Sequence, residues 1–247
     1  MRMRGNPLTE PARLVGWVVD VQNDFMRPPS KGGRLYVSDL TDSTDAGAIN
    51  AQETIERAVA WMHENCDAVV FSADWHGPDD AEIDAVAPDP TVGTYPPHCM
   101  GRSDDPHTAE GAEILESIRP GDPLVLDIPA CVEPVEIARL ALADRRPVVI
   151  RKNQFDVFTG NPGTEAFVRA LADQLDDPQF VVVGVSRDVC VTRAVDGLQE
   201  RGYRTVAVSD ATWGLGLEAE ADTLNRWRLG GLVATFEELV GAVSDGA

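Results

Sequence analysis

The chain has 247 residues, 43% of them hydrophobic, within the range of one large α/β domain with a sizeable core. Its 41 acidic and 21 basic residues give a net charge of −20, which keeps a protein soluble and repels nucleic acid and anionic membrane, so neither partner is expected. The four cysteines, Cys66, Cys99, Cys131 and Cys190, form no CxxC pair and no short-period framework, which argues against a disulfide scaffold. No apolar run reaches the roughly 18 residues that span a bilayer. Arg2 and Arg4 open the chain without an apolar stretch behind them, so no signal peptide is expected and the cytoplasm is the expected location.

In chain order, Leu14 to Val21 reads as a buried strand ending at Asp20, followed by the polar Gln22-Asn23-Asp24 and Phe25. Residues 27–47 carry Pro28-Pro29, Gly32-Gly33 and a Ser/Thr/Asp-rich run, and read as a long loop. Asn50 is positioned to cap a helix with Ile55, Ala58, Val59 and Met62 at helical spacing. Ala68 to Ser72 is a second strand, ending at Asp74. Residues 75–108 show little periodicity and are too long for an idle connection. A short helix is predicted over 108–118, a strand over 123–128 and a helix over 134–143. Pro147 to Ile150 is a strand ending at Arg151-Lys152. Thr164 caps a helix to Leu175, with Glu165 in its first turn. Phe180 to Val183 is a buried strand, Gly184 to Asp188 a turn, and Val189 to Arg201 a helix closed by Gly202. A strand over 205–208, a helix over 218–227, a strand over 232–235 and a last helix complete the chain.

Strands that alternate with helices imply βαβ units and a parallel sheet, the three-layer α/β/α sandwich with a Rossmann-like centre. No GxGxxG follows a strand, so dinucleotide binding is disfavoured. In open parallel sheets ligands bind at the carboxyl ends of the strands. Asp20, Asp74, Lys152 and Cys190 all sit at or just past such ends. Cys190 falls in the first turn of the predicted helix, where free N–H groups and the helix dipole favour a thiolate. The same position also suits a small, inert core residue. A cysteine nucleophile needs a base and a counter-charge. Asp20 in a partly desolvated pocket suits the first role and Lys152 the second. Taken singly, Asp20 also fits a turn cap and Lys152 a surface lysine.

Asp74 and His76, two apart in extended chain, point the same way, as two ligands of one metal would. His98 follows the stiff Pro96-Pro97. With Glu82 nearby, the set suits zinc, iron or manganese. Asp-His pairs in loops also serve as plain turn caps.

Val18-Val-Asp-Val-Gln-Asn-Asp-Phe25, Gly32-Gly33-Arg-Leu35, Ser72-Ala-Asp-Trp-His76, Tyr95-Pro-Pro-His-Cys99, Arg151-Lys152 and Gly184-Val-Ser-Arg-Asp-Val-Cys190 resemble the isochorismatase-like cysteine hydrolases. Within that superfamily they are most similar to the nicotinamidase (pyrazinamidase) branch. The motifs run in the family's order over residues 14–240, within a single domain whose core spans 12–240. The resemblance implies a catalytic triad of Asp20, Lys152 and Cys190. It implies a metal held by Asp74, His76 and His98, with Glu82 where the family often has a histidine and Asp80 and Asp84 as rivals. It also implies a cis peptide between Val185 and Ser186, with an oxyanion hole built from the N–H groups of Ser186 and Cys190. Tyr95 stands where members often have Trp; Phe25, Trp75 and Phe158 are further candidates for the pocket wall, though each also suits ordinary core packing. Residues 120–147 read as an insertion whose helix serves an oligomer contact or covers the site. The expected activity is metal-assisted hydrolysis of a small carboxamide, nicotinamide to nicotinate and ammonia, in pyridine nucleotide salvage by a homo-oligomer. A metal-free relative acting on a ureido or carbamoyl compound or maleamate, and a non-catalytic binding member, are the alternatives. Isochorismate itself is disfavoured, because vinyl-ether hydrolysis has no use for the cysteine.

Overall fold

A computed structural model describes residues 13–245. The signal-peptide reading rests on residues outside that range. The strands are β1 (Leu14–Val19), β2 (Ala68–Asp74), β3 (Leu124–Leu126), β4 (Val148–Lys152), β5 (Gln179–Val185), β6 (Arg204–Trp213) and β7 (Leu232–Ala234). They form one sheet in the order β3-β4-β2-β1-β5-β6-β7, with every pairing parallel. β1, β2 and β5 are buried along their whole length. A parallel sheet covered on both faces requires this, and it is why these segments read as unbroken apolar runs.

The helices are α1 (Asn23–Met26), α2 (Ile49–Asn65), α3 (Pro106–Ala109), α4 (Pro134–Asp144), α5 (Val157–Gly160), α6 (Thr164–Leu175), α7 (Thr192–Glu200), α8 (Glu220–Gly230) and α9 (Phe236–Asp245). α2 and α9 cover one face, where Ile55, Met62 and Leu239 share a core with Val18, Phe71 and Val183. α4, α6, α7 and α8 cover the other, where Ile137, Leu171, Leu198 and Trp227 pack with Val15, Val70 and Val182. Val15 and Val18 fall on opposite faces, as strand alternation demands. Fully burying a side chain such as Ile55 contributes about 1.5–3 kcal/mol before entropy is counted.

Several local expectations are corrected. α2 begins one residue before Asn50, with Ala48 at its N-cap and no capping side chain. The single helix expected over 108–118 is broken into α3 and the one-turn helices Glu110–Ala112 and Glu116–Ile118. Ile114 bridges Gln22 and Glu113 O accepts from Asn23 N, which pulls the chain out of helix there. Thr164 does not cap α6; its hydroxyl donates to Val157 O, and Asn161 Oδ1 accepts from Gly163 N instead. After β5 a π-turn, Arg187–Val191, precedes α7, so Cys190 lies in that turn. β6 runs past Asp210 because extra residues bulge between its pairings Val182–Ala207 and Gly184–Thr212.

Residues 120–147 form the outer βα unit of the sheet. β3 pairs with β4, and Leu126, Ile137, Ala138 and Ala141 are buried in the core beside α6.

Candidate active site

β1 lies between β2 and β5, so chain connections leave it toward opposite halves of the sheet. The crevice at such a switch point is where open α/β sheets bind ligands. Asp20 follows β1, Asp74 ends β2, Lys152 ends β4, and Cys190 lies five residues past β5. Asp20 adopts a left-handed conformation, φ 51°, which aspartate tolerates better than most residues. Asp74 and Lys152 are direct partners in the β2–β4 register.

The Lys152 ammonium is the hub. It lies 2.9 Å from Asp20 Oδ2, donates to Asp74 Oδ1, and stands 3.9 Å from Cys190 Sγ. Asp20 and Lys152 are 0% exposed, Asp74 2% and Cys190 7%. Ser72 Oγ donates to Asp20 Oδ1 at 2.8 Å, which fixes the carboxylate plane. Asp20 Oδ2 sits at ion-pair distance from Lys152 but out of line for a hydrogen bond, so it is a buried acceptor without a donor. One carboxylate atom of Asp20, one of Asp74 and Cys190 Sγ lie within 4.8 Å of one another. That trio needs no metal, because Lys152 already supplies its cation.

Burial pushes Asp20 above the usual carboxylate range, Lys152 opposes this and Asp74 adds to it. Burial holds the Cys190 thiol well above its ordinary value, against the pull of Lys152 and with the push of Asp20 and Asp74. Burial and the two carboxylates therefore work against the thiolate that the start of a helix favours, and Lys152 works for it. Burial also pushes Asp74 upward, but Lys152, His76 and His98 hold it well below the usual range.

Asp74 divides its oxygens. Oδ1 faces Lys152, whereas Oδ2 lies 3.7 Å from both His76 Nε2 and His98 Nε2. These three ligand atoms lie within 4.8 Å of one another, all buried. His76 Nε2 has no hydrogen-bond partner. His98 Nδ1 is 2.7 Å from Pro96 O, so that nitrogen carries the proton and Nε2 offers a lone pair. An orphaned buried nitrogen, a second lone pair and a carboxylate converging on one point fit a divalent cation. Glu82 is outside this trio: it is buried, but its Oε1 accepts from Phe155 N at 2.8 Å. Burial, then Asp74, pushes Glu82 up to about 7. Asp80 lies behind His76, with Oδ2 3.3 Å from Nδ1. Asp84 turns back on its own loop, accepting from Val86 N and Ala87 N at 2.8 and 3.0 Å.

A narrow pocket opens onto these groups, enclosing about 360 Å³, part of it continuous with solvent. Phe25 and Tyr95 line it together with Phe155, Val189 and Leu215, as do Leu35 and Val37 from the 27–47 loop. No residue of 120–147 lines it, so the expected covering helix is instead part of the sheet's flank. Trp75 and Phe158 do not line it either. Trp75 lies under the Arg151 guanidinium at 3.9 Å. Phe158 packs on Trp17 and under Arg201, against the core cluster that also holds Cys190. Phe155 stands in their place, a residue that sequence periodicity does not distinguish from loop.

Gln22 and Asp24 also serve the site. Gln22 clamps Asp74, accepting from its N and donating to its O, both at 2.8 Å. Asp24 Oδ2 accepts from Cys99 N at 2.7 Å, beside His98. The Val185–Ser186 peptide is cis, as the resemblance implied, and Ser186 Oγ donates to Asp188 at 2.6 Å.

Residues 136–238 match the family model of the isochorismatase domain. That stretch is less than half of the chain, and with the fold it makes the chain similar to the isochorismatase-like α/β proteins. Among solved structures the chain is similar to a nicotinamidase/pyrazinamidase from Bacillus subtilis, at TM-score 0.61 and 19% identity over 90% of this chain and 99% of that one. It is similar to an isochorismatase family protein from Desulfovibrio vulgaris, at TM-score 0.63 and 18% identity over 93% and 97%. It is also similar to a pyrazinamidase of Pyrococcus horikoshii in complex with zinc, at TM-score 0.61 and 19% identity over 91% and 99%. No curated protein matches the chain.

Proposed function

We propose that the protein is a cysteine amidohydrolase acting on a small neutral carboxamide, nicotinamide being the first candidate. The observation that carries this reading is the buried Asp20–Lys152–Cys190 cluster opening onto a pocket whose wall holds Asp74 and His98. Asp20 Oδ2, the acceptor without a donor, takes the Cys190 proton. The thiolate attacks the amide carbon while Lys152 balances the charge. The N–H groups of Ser186 and Cys190 receive the oxyanion, a contribution of about 3–4 kcal/mol per donor. Asp20 returns its proton to the nitrogen as the C–N bond breaks, releasing ammonia and leaving a thioester on Cys190. Water, deprotonated by Asp20, then hydrolyses the thioester to the carboxylic acid and free thiol.

Asp74, His76 and His98 would hold the metal. A divalent ion of the zinc, iron or manganese type supplies a Lewis-acid centre able to take a ring nitrogen. Phe25, Tyr95 and Phe155 form the apolar wall for a flat ring. Among the described residues, the pocket wall carries two carboxylates, Asp74 and Glu82, and no arginine or lysine. Lys152 behind it is shared between Asp20 and Asp74. Without a metal, Asp74 in that wall disfavours anionic amides such as maleamate.

The test is ammonia release from nicotinamide by wild type and by Cys190→Ala, with metal content measured on both. Release by wild type and at least a thousand-fold loss in the variant are expected, since an acyl transfer without its nucleophile keeps only the oxyanion hole and binding. Equal rates would remove Cys190 from the mechanism.

A further inference from the structure

The Asp74-Trp75-His76 segment is held from outside by groups that never touch the pocket. Trp75 O accepts from Arg102 Nε at 3.2 Å, and the Trp75 ring lies under the Arg151 guanidinium at 3.9 Å. His76 N donates to Cys99 O at 2.9 Å, and His76 O accepts from Arg102 N at 3.0 Å. The ring itself has one polar neighbour on its outer edge. Asp80 Oδ2 stands 3.3 Å from His76 Nδ1, and the same oxygen accepts from Gly77 N at 3.0 Å and from Arg102 Nη2. The inner edge, Nε2, is buried and without a hydrogen-bond partner, 3.7 Å from Asp74 Oδ2.

A carboxylate on Nδ1 settles the tautomer. The proton belongs on Nδ1, where Asp80 accepts it, and the lone pair is left on Nε2. Outer carboxylates that fix a metal-binding histidine in this way also raise its basicity. Asp80 is pinned in turn, because Arg102 and Gly77 N–H hold the oxygen that faces the ring. Asp84, four residues on, spends its carboxylate on Val86 N and Ala87 N and does not reach His76.

We infer that Asp80, anchored by Arg102, is a positioning residue that orients His76 and sets its tautomer for a divalent cation held with Asp74 and His98. This rests on the metal-binding part of the proposed function. Asp80 is thereby neither a ligand nor a plain turn cap.

The experiment measures Zn²⁺ affinity by chelator competition, and Co²⁺ affinity with the visible absorption of the bound ion, on the whole chain. Wild type, Asp80→Ala, Asp80→Asn, Arg102→Ala and Asp84→Ala are compared after thermal melts confirm folding. Asp80→Ala should weaken both metals by about 10–100-fold, the usual cost of losing an outer partner. Asp80→Asn, which keeps an acceptor, should recover part of the loss. Arg102→Ala should fall between them, and Asp84→Ala should stay within about two-fold of wild type. The Co²⁺ band should keep its intensity at saturation in every variant, because the ligand count is unchanged. Asp80→Ala within two-fold of wild type overturns the inference, as does an equal loss in Asp84→Ala. A band showing one ligand fewer in Asp80→Ala makes Asp80 itself a ligand and overturns it too. Wild type that binds neither metal overturns the metal reading itself, an outcome distinct from the other three.

Discussion

Lys152→Met removes the ammonium between two buried carboxylates while nearly keeping the side chain's length. In the wild type its ammonium is 2.9 Å from Asp20, in contact with Asp74, and fully buried. Removing one partner of a buried ion pair costs about 3–5 kcal/mol, because the charge left behind stays desolvated. At pH 7 we therefore expect a loss of about 3–5 kcal/mol, which for a chain of this size is roughly 6–20 °C in Tm. The pH dependence has a definite sign. Wild-type Asp74 is held well below its usual range, with Lys152 opposing the effect of burial. Its contribution is present above the unfolded pKa and is lost only as strong acid protonates it. Asp20 already lies above the usual range in the wild type, against the pull of Lys152. Without that cation the upper native pKa of the pair moves further above the unfolded value of about 3.9, so the variant feels the effect over a wider pH range than the wild type. The native state then binds more protons than the unfolded state between those values, so stability falls as pH rises. The gap to wild type should narrow as pH is lowered from 7 to 5. Urea unfolding of both proteins at pH 5, 6 and 7, with chelator present throughout, measures this. A difference below 1 kcal/mol at pH 7, or a gap that widens in acid, would refute the reasoning.

Gly184→Ala should cost about 2–6 kcal/mol by urea unfolding, from backbone strain and overpacking together. Its φ is 126°, and an added Cβ would fall 2.1 Å from Val19 O; a change under 0.5 kcal/mol would show that β5 does not need glycine there. Burial pushes the Cys66 thiol up to about 12, whereas Cys131 is exposed. With so little thiolate at pH 8, Cys66 should resist iodoacetamide until the protein unfolds, while Cys131 labels in the native state. Peptide mapping reads both sites, and equal rates in the folded protein would contradict that placement.

The sheet was legible because buried parallel strands leave continuous apolar runs, as at Leu14–Val19 and Gln179–Val185. The strand-end rule then brought Asp20, Asp74, Lys152 and Cys190 to one edge before any contact was known. Illegible features were those decided by distant pairing. Nothing local near Ile114 announces its bridge to Gln22, so 108–118 read as one helix. The surroundings of Cys190 were legible only in part, because helix-end polarity is local whereas burial and two carboxylates come from the tertiary fold. Trp75 and Phe158 were candidates by ring chemistry alone. Their partners, Arg151 and Trp17, lie far away in sequence, as does the Glu82 that fixes Phe155 N.

Register is what turns these separate residues into one site. Asp74 and Lys152 are direct partners across β2 and β4, so their side chains leave the sheet on the same side. Val19 pairs with Ser72 on one flank and with Gly184 on the other. Asp20 therefore emerges between the strand that supplies Asp74 and the strand that leads to Cys190. A one-residue slip of β4 would send Lys152 to the opposite face and leave both carboxylates without a cation. The alternating burial that forbids the slip is carried by Val148 and Ile150 facing one core and Val149 the other. Packing along β4 itself thus sets the 2.9 Å and 3.9 Å distances from Lys152 to base and nucleophile.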